Sequence, residues 1–405
     1  MSAPASRLAL TGSGAAAYAM RQLDPDVVSA YPTAPQTEVV EQFSQYVADG
    51  LVRTEFVPVE SEHSAMAASI GAAAAGARAI TATASQGLAY LWEMLYIAAG
   101  MRLPIVMAVA NRALSAPINI HGDQTDSMGA SDSGWIQIYA ESPQEVYDAM
   151  IQAVRIGEHP NVLLPVMVCF DGFVVSQSLG AVELLPDGAV RAFVGERRLG
   201  QTLLDLEHPS TMGPLALPDS FMEIKRGQEE AMARAEAVVR AVGLEYEEIA
   251  GRRQPVLEHH AMRDAEHVVI GLVSVTLTAR AALTQLRAEG VPVGLVRIRA
   301  FRPFPRYDLR DTLTGRRSAI VIDRSVSPGA WNGPVALEVA GALEPLVHRP
   351  VLVNRVLGLG GRDVSPDDIV GIVRDGVAMA AGDRSVKRYA YAGTREGAAH
   401  AHAAR

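Results

Sequence analysis

The chain has 405 residues, too many for one ordinary hydrophobic core, because single cores stop growing at roughly 250 to 300 residues. Hydrophobic residues make up 49% and charged residues 20%, a globular balance, and no apolar run approaches the ~20 residues a membrane span needs. A net charge of −9 without a dense Lys/Arg stripe excludes general attraction to phosphate backbones, so no nucleic-acid partner is expected.

The stretch from Met1 to Leu10 carries one Arg and no long apolar core, does not read as a signal peptide, and points to the cytoplasm. Leu8 to Leu10 is a weak strand. Gly12-Ser13-Gly14-Ala15-Ala16-Ala17 superficially fits a dinucleotide-binding turn, but Ser13 reads more simply as the cap of a helix through Met20. From Phe56 to Ala110 the pattern alternates: an apolar run (Phe56 to Val59), an Ala-rich helix closed by Gly76, a strand (Ala79 to Thr83), a helix (Gly87 to Ala99) and a strand (Pro104 to Ala110). Strands separated by helices of this size imply right-handed crossovers and a parallel sheet. A helix over Gln144 to Glu158 and a buried strand over Val162 to Cys169 close a first α/β domain, residues 1–180. Cys169, the only cysteine, reads as a core thiol. Iron-sulfur clusters usually take four thiolates, so any electron wire is expected on other chains.

Residues 181–262 read as a structured connector. In it Ser220 and Glu223 form a capping-box pattern ahead of a helix carrying Phe221, Ile224, Val238 and Val242, with Gly243 as its stop. A second α/β domain, 263–382, follows: a strand Val268 to Val275, a helix Leu277 to Ala288, and strands Val293 to Ile298 and Ala319 to Asp323. Phe301-Arg302-Pro303-Phe304-Pro305 cannot be a central strand, since neither proline donates to a ladder, and is taken as a loop at a strand's end. The tail, 383–405, lacks periodicity from Ala390 onward and is expected to be disordered, with His400 and His402 as coil.

Three stretches follow first-domain strands, where α/β proteins place ligands: Tyr31 to Thr37, Val59 to Met66 and Asn111 to Asp126. Glu60, Glu62 and His63 stand at a strand-to-helix junction, where acids also gain about 0.3 to 1 kcal/mol simply from the helix dipole. Arg112 lies just past a strand, placed to bind a carboxylate bidentately or to make a structural ion pair. Asp123 and Asp126 fit turn or capping roles better than a metal site. A P-loop lysine motif, zinc-spaced Cys/His and a Gly-x-Ser-x-Gly elbow are absent from the sequence.

Taken together, Tyr31-Pro32-Thr33-Ala34-Pro35-Gln36-Thr37, Glu60-Ser61-Glu62-His63-Ser64-Ala65-Met66, Thr83-Ala84-Ser85-Gln86-Gly87, Ala110 to Pro117, Phe301 to Pro305 and Gly358 to Asp363 resemble the alpha-subunit region of pyruvate:ferredoxin oxidoreductases. The resemblance implies a pyrimidine-binding domain of thiamine diphosphate enzymes followed by a domain like the C-terminal domain of transketolase. It places Glu62, Gln86 and Gly87 at the cofactor. There a glutamate hydrogen-bonds the aminopyrimidine ring and favours the imino tautomer, whose exocyclic nitrogen removes the C2 proton. It places Tyr31, Pro32, Thr33, Ala34 and Arg112 at the substrate, with Glu62 and Arg112 as the catalytic pair.

One position departs from the family, which reads Tyr-Pro-Ile-Thr-Pro: its threonine is Ala34 here, preceded by Thr33. The Gly-Asp-Gly motif with following Asn residues that holds Mg²⁺ and the diphosphate is also missing, and Phe170-Asp171-Gly172-Phe173 lacks its first glycine. The resemblance therefore implies half of a shared site. Mg²⁺ and the diphosphate belong to a beta-type subunit, and the iron-sulfur clusters to partner chains. Gamma- and delta-type subunits and ferredoxin or another acceptor complete the assembly. The implied reaction is CoA-dependent oxidative decarboxylation of a 2-oxoacid, pyruvate foremost, to acyl-CoA and CO2. The alternatives are a relative acting on a bulkier 2-oxoacid, such as phenylglyoxylate or a branched-chain acid, a non-catalytic scaffold of the same fold, and a dinucleotide-binding protein resting on Gly12 and Gly14.

Overall fold

A computed structural model describes residues 6–197 and 201–395. It divides into two compact units, Met1–Leu257 with Ile298–Pro305, and Glu258–Arg297 with Arg306–Arg405.

The first unit opens on β1 (Ser6–Leu10), α1 (Gly12–Leu23), β2 (Val27–Ala30), α2 (Thr37–Ala48), β3 (Glu55–Pro58), α3 (Glu62–Ala74) and β4 (Ala79–Thr83). Two short helices, α4 (Gln86–Tyr90) and α5 (Trp92–Gly100), lead to β5 (Val106–Asn111), α6 (Thr125–Gly129), β6 (Ile136–Ala140), α7 (Pro143–Gly157) and β7 (Val166–Asp171). Then come β8 (Gly180–Leu184), α8 (Asp187–Val194) and the long α9 (Phe221–Ala250). The chain continues through β9 (Leu257–His260), β10 (His267–Gly271), α10 (Val275–Ala288), β11 (Val293–Ile298), β12 (Ala300–Arg302), α11 (Arg306–Leu313), β13 (Ser318–Asp323), α12 (Pro334–Leu343), β14 (Val351–Val356), α13 (Pro366–Ala380) and β15 (Tyr389–Tyr391).

In the first unit the sheet runs β12-β6-β7-β5-β4-β2-β3, parallel except for the antiparallel pairing of β12 with β6. β4, β5, β6 and β7 are buried at every residue, as expected where helices cover both faces. Helix α3 sits close on β2 and β4 because its inward face is built of small residues. Ser29 Oγ donates to Ala65 O at 2.7 Å and meets Ser69 Oγ at 2.7 Å, so even the polar atoms of that contact are satisfied. In the second unit the sheet runs β15-β14-β13-β10-β11-β9, around a core that includes Val269, Leu283, Ile320, Val353, Ile369 and Val373.

Several local expectations change. Thr11, not Ser13, caps α1, its side chain accepting from Gly14 N at 2.8 Å. β1 pairs only with antiparallel β8, and a Cβ on Gly12 would stand 2.5 Å from Val175 O, so Gly12 serves packing. The dinucleotide reading loses its βαβ context. The expected helix 87–99 is two helices joined at Leu91. Ser220 precedes α9 without a side-chain cap bond, and Gly243 does not stop it: α9 runs on to a left-handed Gly251. Gly243 is instead a contact point, where a Cβ would meet Gln254 O at 2.7 Å.

The division expected at 180 and 262 differs from the compact units, because β8 pairs back onto β1 and α9 packs on α7. Phe301 and Arg302 belong to an edge strand, the one sheet position that tolerates the following prolines. Ala390 and Tyr391, expected to be disordered, lie in β15 beside β14. His400 and His402 lie outside the described residues.

Candidate active site

The first-unit sheet has a switch point between β2 and β4: from β2 the chain moves to β3 on one side, then crosses back to β4 on the other. In open α/β sheets ligands bind in the crevice outside the carboxyl ends of strands at such a point. All the residues expected at cofactor or substrate follow those carboxyl ends. Tyr31, Pro32, Thr33 and Ala34 follow β2, Glu62 follows β3, Gln86 and Gly87 follow β4, and Arg112 follows β5.

Glu62 is the first residue of α3, whose N-terminus Ser61 caps by accepting from Ser64 N at 3.2 Å. Its carboxylate is buried and accepts a hydrogen bond from the Thr33 hydroxyl. Gly87 presses against it: a Cβ there would lie 2.6 Å from both Glu62 Oε1 and Thr83 Oγ1. Thr33, Glu62, Thr83 and Gly87 therefore converge. Four polar atoms at these strand ends are buried without a hydrogen-bond partner, Gln36 Oε1, Thr83 Oγ1, Gln86 Nε2 and Asn111 Oδ1, while Gln86 Oε1 accepts from Ser85 Oγ at 2.6 Å. Buried polar atoms are ordinarily satisfied, so orphans at a switch-point crevice suit a ligand that mixes donors and acceptors. An aminopyrimidine ring is such a ligand, and Glu62, Gln86 and Thr83 are the groups that could hold it. The neighbouring acids and bases turn elsewhere. His63 Nε2 meets Glu93 Oε1 at 2.8 Å, and exposed Glu60 accepts from the Ser64 hydroxyl.

Arg112 is mostly buried, and its guanidinium donates to two backbone carbonyls, Nη1 to Ala34 O at 2.9 Å and Nε to Asn119 O at 3.0 Å. Among the described residues it has no carboxylate partner, so the structural ion pair weighed from sequence is not formed there. Ala34 contributes its carbonyl, not its side chain, to that arrangement.

Two residues escaped the sequence reading. Gln36 lies inside the Tyr31 to Thr37 motif, and its Nε2 donates to Tyr31 O at 2.8 Å and Ala82 O at 3.3 Å, tying the β2 loop to β4. Asp126, read as a turn residue, is fully buried and accepts four hydrogen bonds drawn from both the β4 and β5 ends. Burial pushes its carboxyl up to about 6, against those four bonds, which favour the ionised form. Asp123 does fill a turn role, Oδ1 accepting from Thr125 N at 2.9 Å. Cys169 is fully buried, and burial pushes its thiol well above the ordinary range, as for an inert core residue.

Residues 18–243 match the family model described as pyruvate flavodoxin/ferredoxin oxidoreductase, thiamine diphosphate-binding, and residues 265–369 match pyruvate:ferredoxin oxidoreductase core domain II. The chain belongs to the pyruvate flavodoxin/ferredoxin oxidoreductase family. Among relatives in this oxidoreductase family, pyruvate synthase subunit PorA of Thermotoga maritima is 51% identical over 96% of this chain and 98% of its own length. PorA of Methanocaldococcus jannaschii is 47% identical over 90% of this chain and 93% of its own. Ketoisovalerate oxidoreductase subunit VorA of Pyrococcus abyssi is 41% identical over 90% and 92%.

Among solved structures, 2-oxoglutarate:ferredoxin oxidoreductase from Magnetococcus marinus aligns with a TM-score of 0.71 at 19% identity, covering 92% of this chain and 65% of that one. An inactive split-gene transketolase tetramer aligns at 0.56 and 13% identity, covering 92% and 99%. At these identities the two structures speak for the fold: a thiamine-enzyme pyrimidine-binding domain followed by a transketolase C-terminal-like domain, as the oxidoreductase family requires.

Proposed function

We propose that this chain is the alpha-type subunit of a 2-oxoacid:ferredoxin oxidoreductase acting on pyruvate. The complex oxidises pyruvate with CoA to acetyl-CoA and CO2 and passes two electrons to iron-sulfur clusters on other subunits. The observation that carries the reading is the buried Glu62 carboxylate at the switch point, with Gln86 Nε2 and Thr83 Oγ1 unpartnered beside Gly87. Thiamine diphosphate, when bound, supplies the nucleophilic carbon and electron sink that decarboxylation of a 2-oxoacid requires. Glu62 holds a proton at the aminopyrimidine ring nitrogen, Gln86 donates an amide hydrogen to the ring, and Gly87 lets the carboxylate and ring approach the backbone. Arg112 fixes the substrate carboxylate, and the loop Tyr31, Pro32, Thr33 and Ala34 walls the same pocket.

A beta-type subunit supplies Mg²⁺ and the diphosphate site, and gamma- and delta-type subunits supply the clusters and the docking point for ferredoxin. Support for a shared site comes from α4 and α5, which leave Tyr90, Trp92, Tyr96 and Ile97 exposed directly after Gln86 and Gly87. Contiguous exposed apolar surface of this kind marks contact with a partner. Pyruvate is favoured because the relatives at 51% and 47% identity are named pyruvate synthase subunits.

A second reading, a bulkier branched-chain or aromatic 2-oxoacid, rests on Ala34 and Thr33: the position-34 hydroxyl is gone, and the Thr33 hydroxyl is spent on Glu62. Ala34→Thr in the assembled complex should then change the ratio of kcat/KM for pyruvate over 2-oxoisovalerate.

The test of the main reading is Glu62→Gln. The side-chain shape is kept, and exchange of the C2 proton on bound thiamine diphosphate should slow by roughly 10² to 10⁴. Arg112→Lys, which keeps the charge but loses the planar fork, should lower kcat/KM for the 2-oxoacid. Wild-type exchange in the first variant and wild-type kcat/KM in the second would remove both residues from the site. Failure of the wild-type complex to bind thiamine diphosphate in titration calorimetry would return the chain to the scaffold reading.

A further inference from the structure

The loop after β4 and the loop after β5 share one buried anchor. Asp126 Oδ2 accepts from Ser85 N and from Arg112 N, each at 2.9 Å, and Oδ1 accepts from Asn111 Nδ2 at 2.8 Å and Ser127 N at 2.7 Å. One carboxylate oxygen thus fixes both the amide immediately before Gln86 and Gly87 and the amide of Arg112 itself. Ser85 needs such an anchor. It holds φ 52°, ψ −123°, a region that a residue with a Cβ rarely adopts and keeps only when its surroundings determine it. Its hydroxyl, whose single hydrogen is shared between Gln86 Oε1 at 2.6 Å and Ala113 O at 2.5 Å, crosses again from the β4 loop to the β5 loop. Behind Asp126 the polar chain continues, from Asn111 Nδ2 to Ser127 Oγ at 2.7 Å and on to Tyr139 OH at 2.8 Å, all buried.

We propose that Asp126 is the positioning residue that locks the cofactor side of the site, Ser85-Gln86-Gly87 against Glu62, to its substrate side, Arg112. Without an acceptor at this point Ser85 relaxes from its unusual backbone angles. Gln86 and Gly87 then move relative to Glu62, and Arg112 loses one of the bonds that aim its guanidinium. Both halves loosen together because the same Oδ2 holds both. The proposal rests on the assignment of Glu62, Gln86 and Arg112 made above, and its test separates the two.

The experiment uses the assembled oxidoreductase and reads two quantities, the Kd for thiamine diphosphate by titration calorimetry and KM for pyruvate. Asp126→Ala removes every acceptor, and both quantities should rise at least about tenfold, the scale on which misplaced catalytic groups are felt. Asp126→Asn should recover most of the loss, because Asn111 Oδ1 is buried without a partner and can turn to accept from the new amide. Asp148→Asn is the structural control. That carboxylate is equally buried but is held by Arg252, Tyr246 and Gln254, remote in sequence from the strand-end loops, so its loss should lower Tm and leave Kd and KM unchanged.

If Asp126→Ala does not assemble, Asp126→Asn carries the test through a smaller rise in both quantities. Wild-type Kd and KM in Asp126→Ala, or in Asp126→Asn where that variant alone assembles, or a rise in only one of the two quantities, overturns the proposal. Gln86→Ala and Arg112→Lys report the underlying assignment: if these also leave Kd and KM unchanged, the site reading itself has failed.

Discussion

A methyl group on Gly87 would collide with Glu62 Oε1 and with Thr83 Oγ1, each at 2.6 Å, and with Glu62 Cγ at 2.8 Å. Both side chains are buried and Glu62 is held by Thr33, so Gly87→Ala should destabilise the chain by about 1 to 3 kcal/mol, and it should lower kcat as well if Glu62 has the proposed role. A lowered Tm together with a large fall in kcat is the expected result, and unchanged kcat would show that the proposed role tolerates displacement of Glu62. Asp126 gives a prediction in pH. Its carboxyl, at about 6 in the folded chain against 3.8 for an ordinary aspartate, keeps a proton that the unfolded chain releases between those values. Its contribution to stability is therefore most favourable near pH 4 and falls as pH rises through 6, by about 3 kcal/mol at most. Asp323 is likewise pushed up to about 6 by burial, so only the comparison with an Asp126 variant isolates this contribution. Denaturant unfolding of wild type against Asp126→Asn should show the difference narrowing in favour of the variant from pH 4 to 6, and a constant difference would refute the shift. At this scale the positions of Glu62 and Arg112 were legible in the sequence, because an acid opening a helix and a cation after a strand are local patterns, while the roles proposed for them rest on the family resemblance. The sequence did not disclose Asp126 as an anchor or the bond that Thr33, expected at the substrate, makes to Glu62. Their partners lie 41 and 29 positions away, for Ser85 and Glu62, and no local spacing encodes those bonds.

Helix α9 shows why elements are legible and their details are not. Its buried positions Ala231, Ala235, Val238, Val239, Val242 and Tyr246 keep helical spacing, so an amphipathic helix is readable from the sequence. Gly243 also looked readable, as a stop, but its reason is tertiary: Gln254 O comes so close that no Cβ fits. Gly227 in the same helix meets nothing within 4 Å. Gly227→Ala should stabilise the chain by roughly 0.5 to 1 kcal/mol through helix propensity, whereas Gly243→Ala should destabilise it despite the same propensity gain. Thermal unfolding of both variants checks the pair, and equal shifts would mean that the Gln254 contact yields. The same contrast runs through the strands. β4, β5 and β7 were visible as apolar runs because two-sided burial demands them. β8 and β12 were not, and β1 only weakly as Leu8 to Leu10, since each is short, pairs antiparallel and carries exposed or proline-flanked residues.

For the molecule as a whole, the proposed function makes the chain dependent on others, and that dependence has a chemical basis in the sequence. A cluster needs several thiolates, and the one thiol, Cys169, is fully buried in β7 with burial holding it protonated. The residues that could meet the pyrimidine ring gather at the carboxyl ends of β2, β3 and β4, but the motif that would hold a diphosphate and Mg²⁺ is missing from the sequence. Purified alone and supplied with thiamine diphosphate, Mg²⁺, pyruvate, CoA and an artificial electron acceptor, the chain should show neither turnover nor visible cluster absorption. Both should return when a beta-type subunit and a cluster-bearing subunit are added. The exposed aromatic face on α4 and α5 sharpens the expectation, because Trp92 and Tyr96 meet at a tilt of 55°, 5.8 Å between ring centroids, while remaining open to solvent. Replacing Trp92 by Glu should leave the isolated chain's unfolding free energy within about 0.5 kcal/mol of wild type, as exposed substitutions usually do, but weaken association with the beta-type subunit in sedimentation velocity. Undiminished association would place the partner on another face. Turnover by the rigorously isolated chain would overturn the half-site altogether, because it would require a diphosphate anchor and an electron path built from residues that carry neither chemistry.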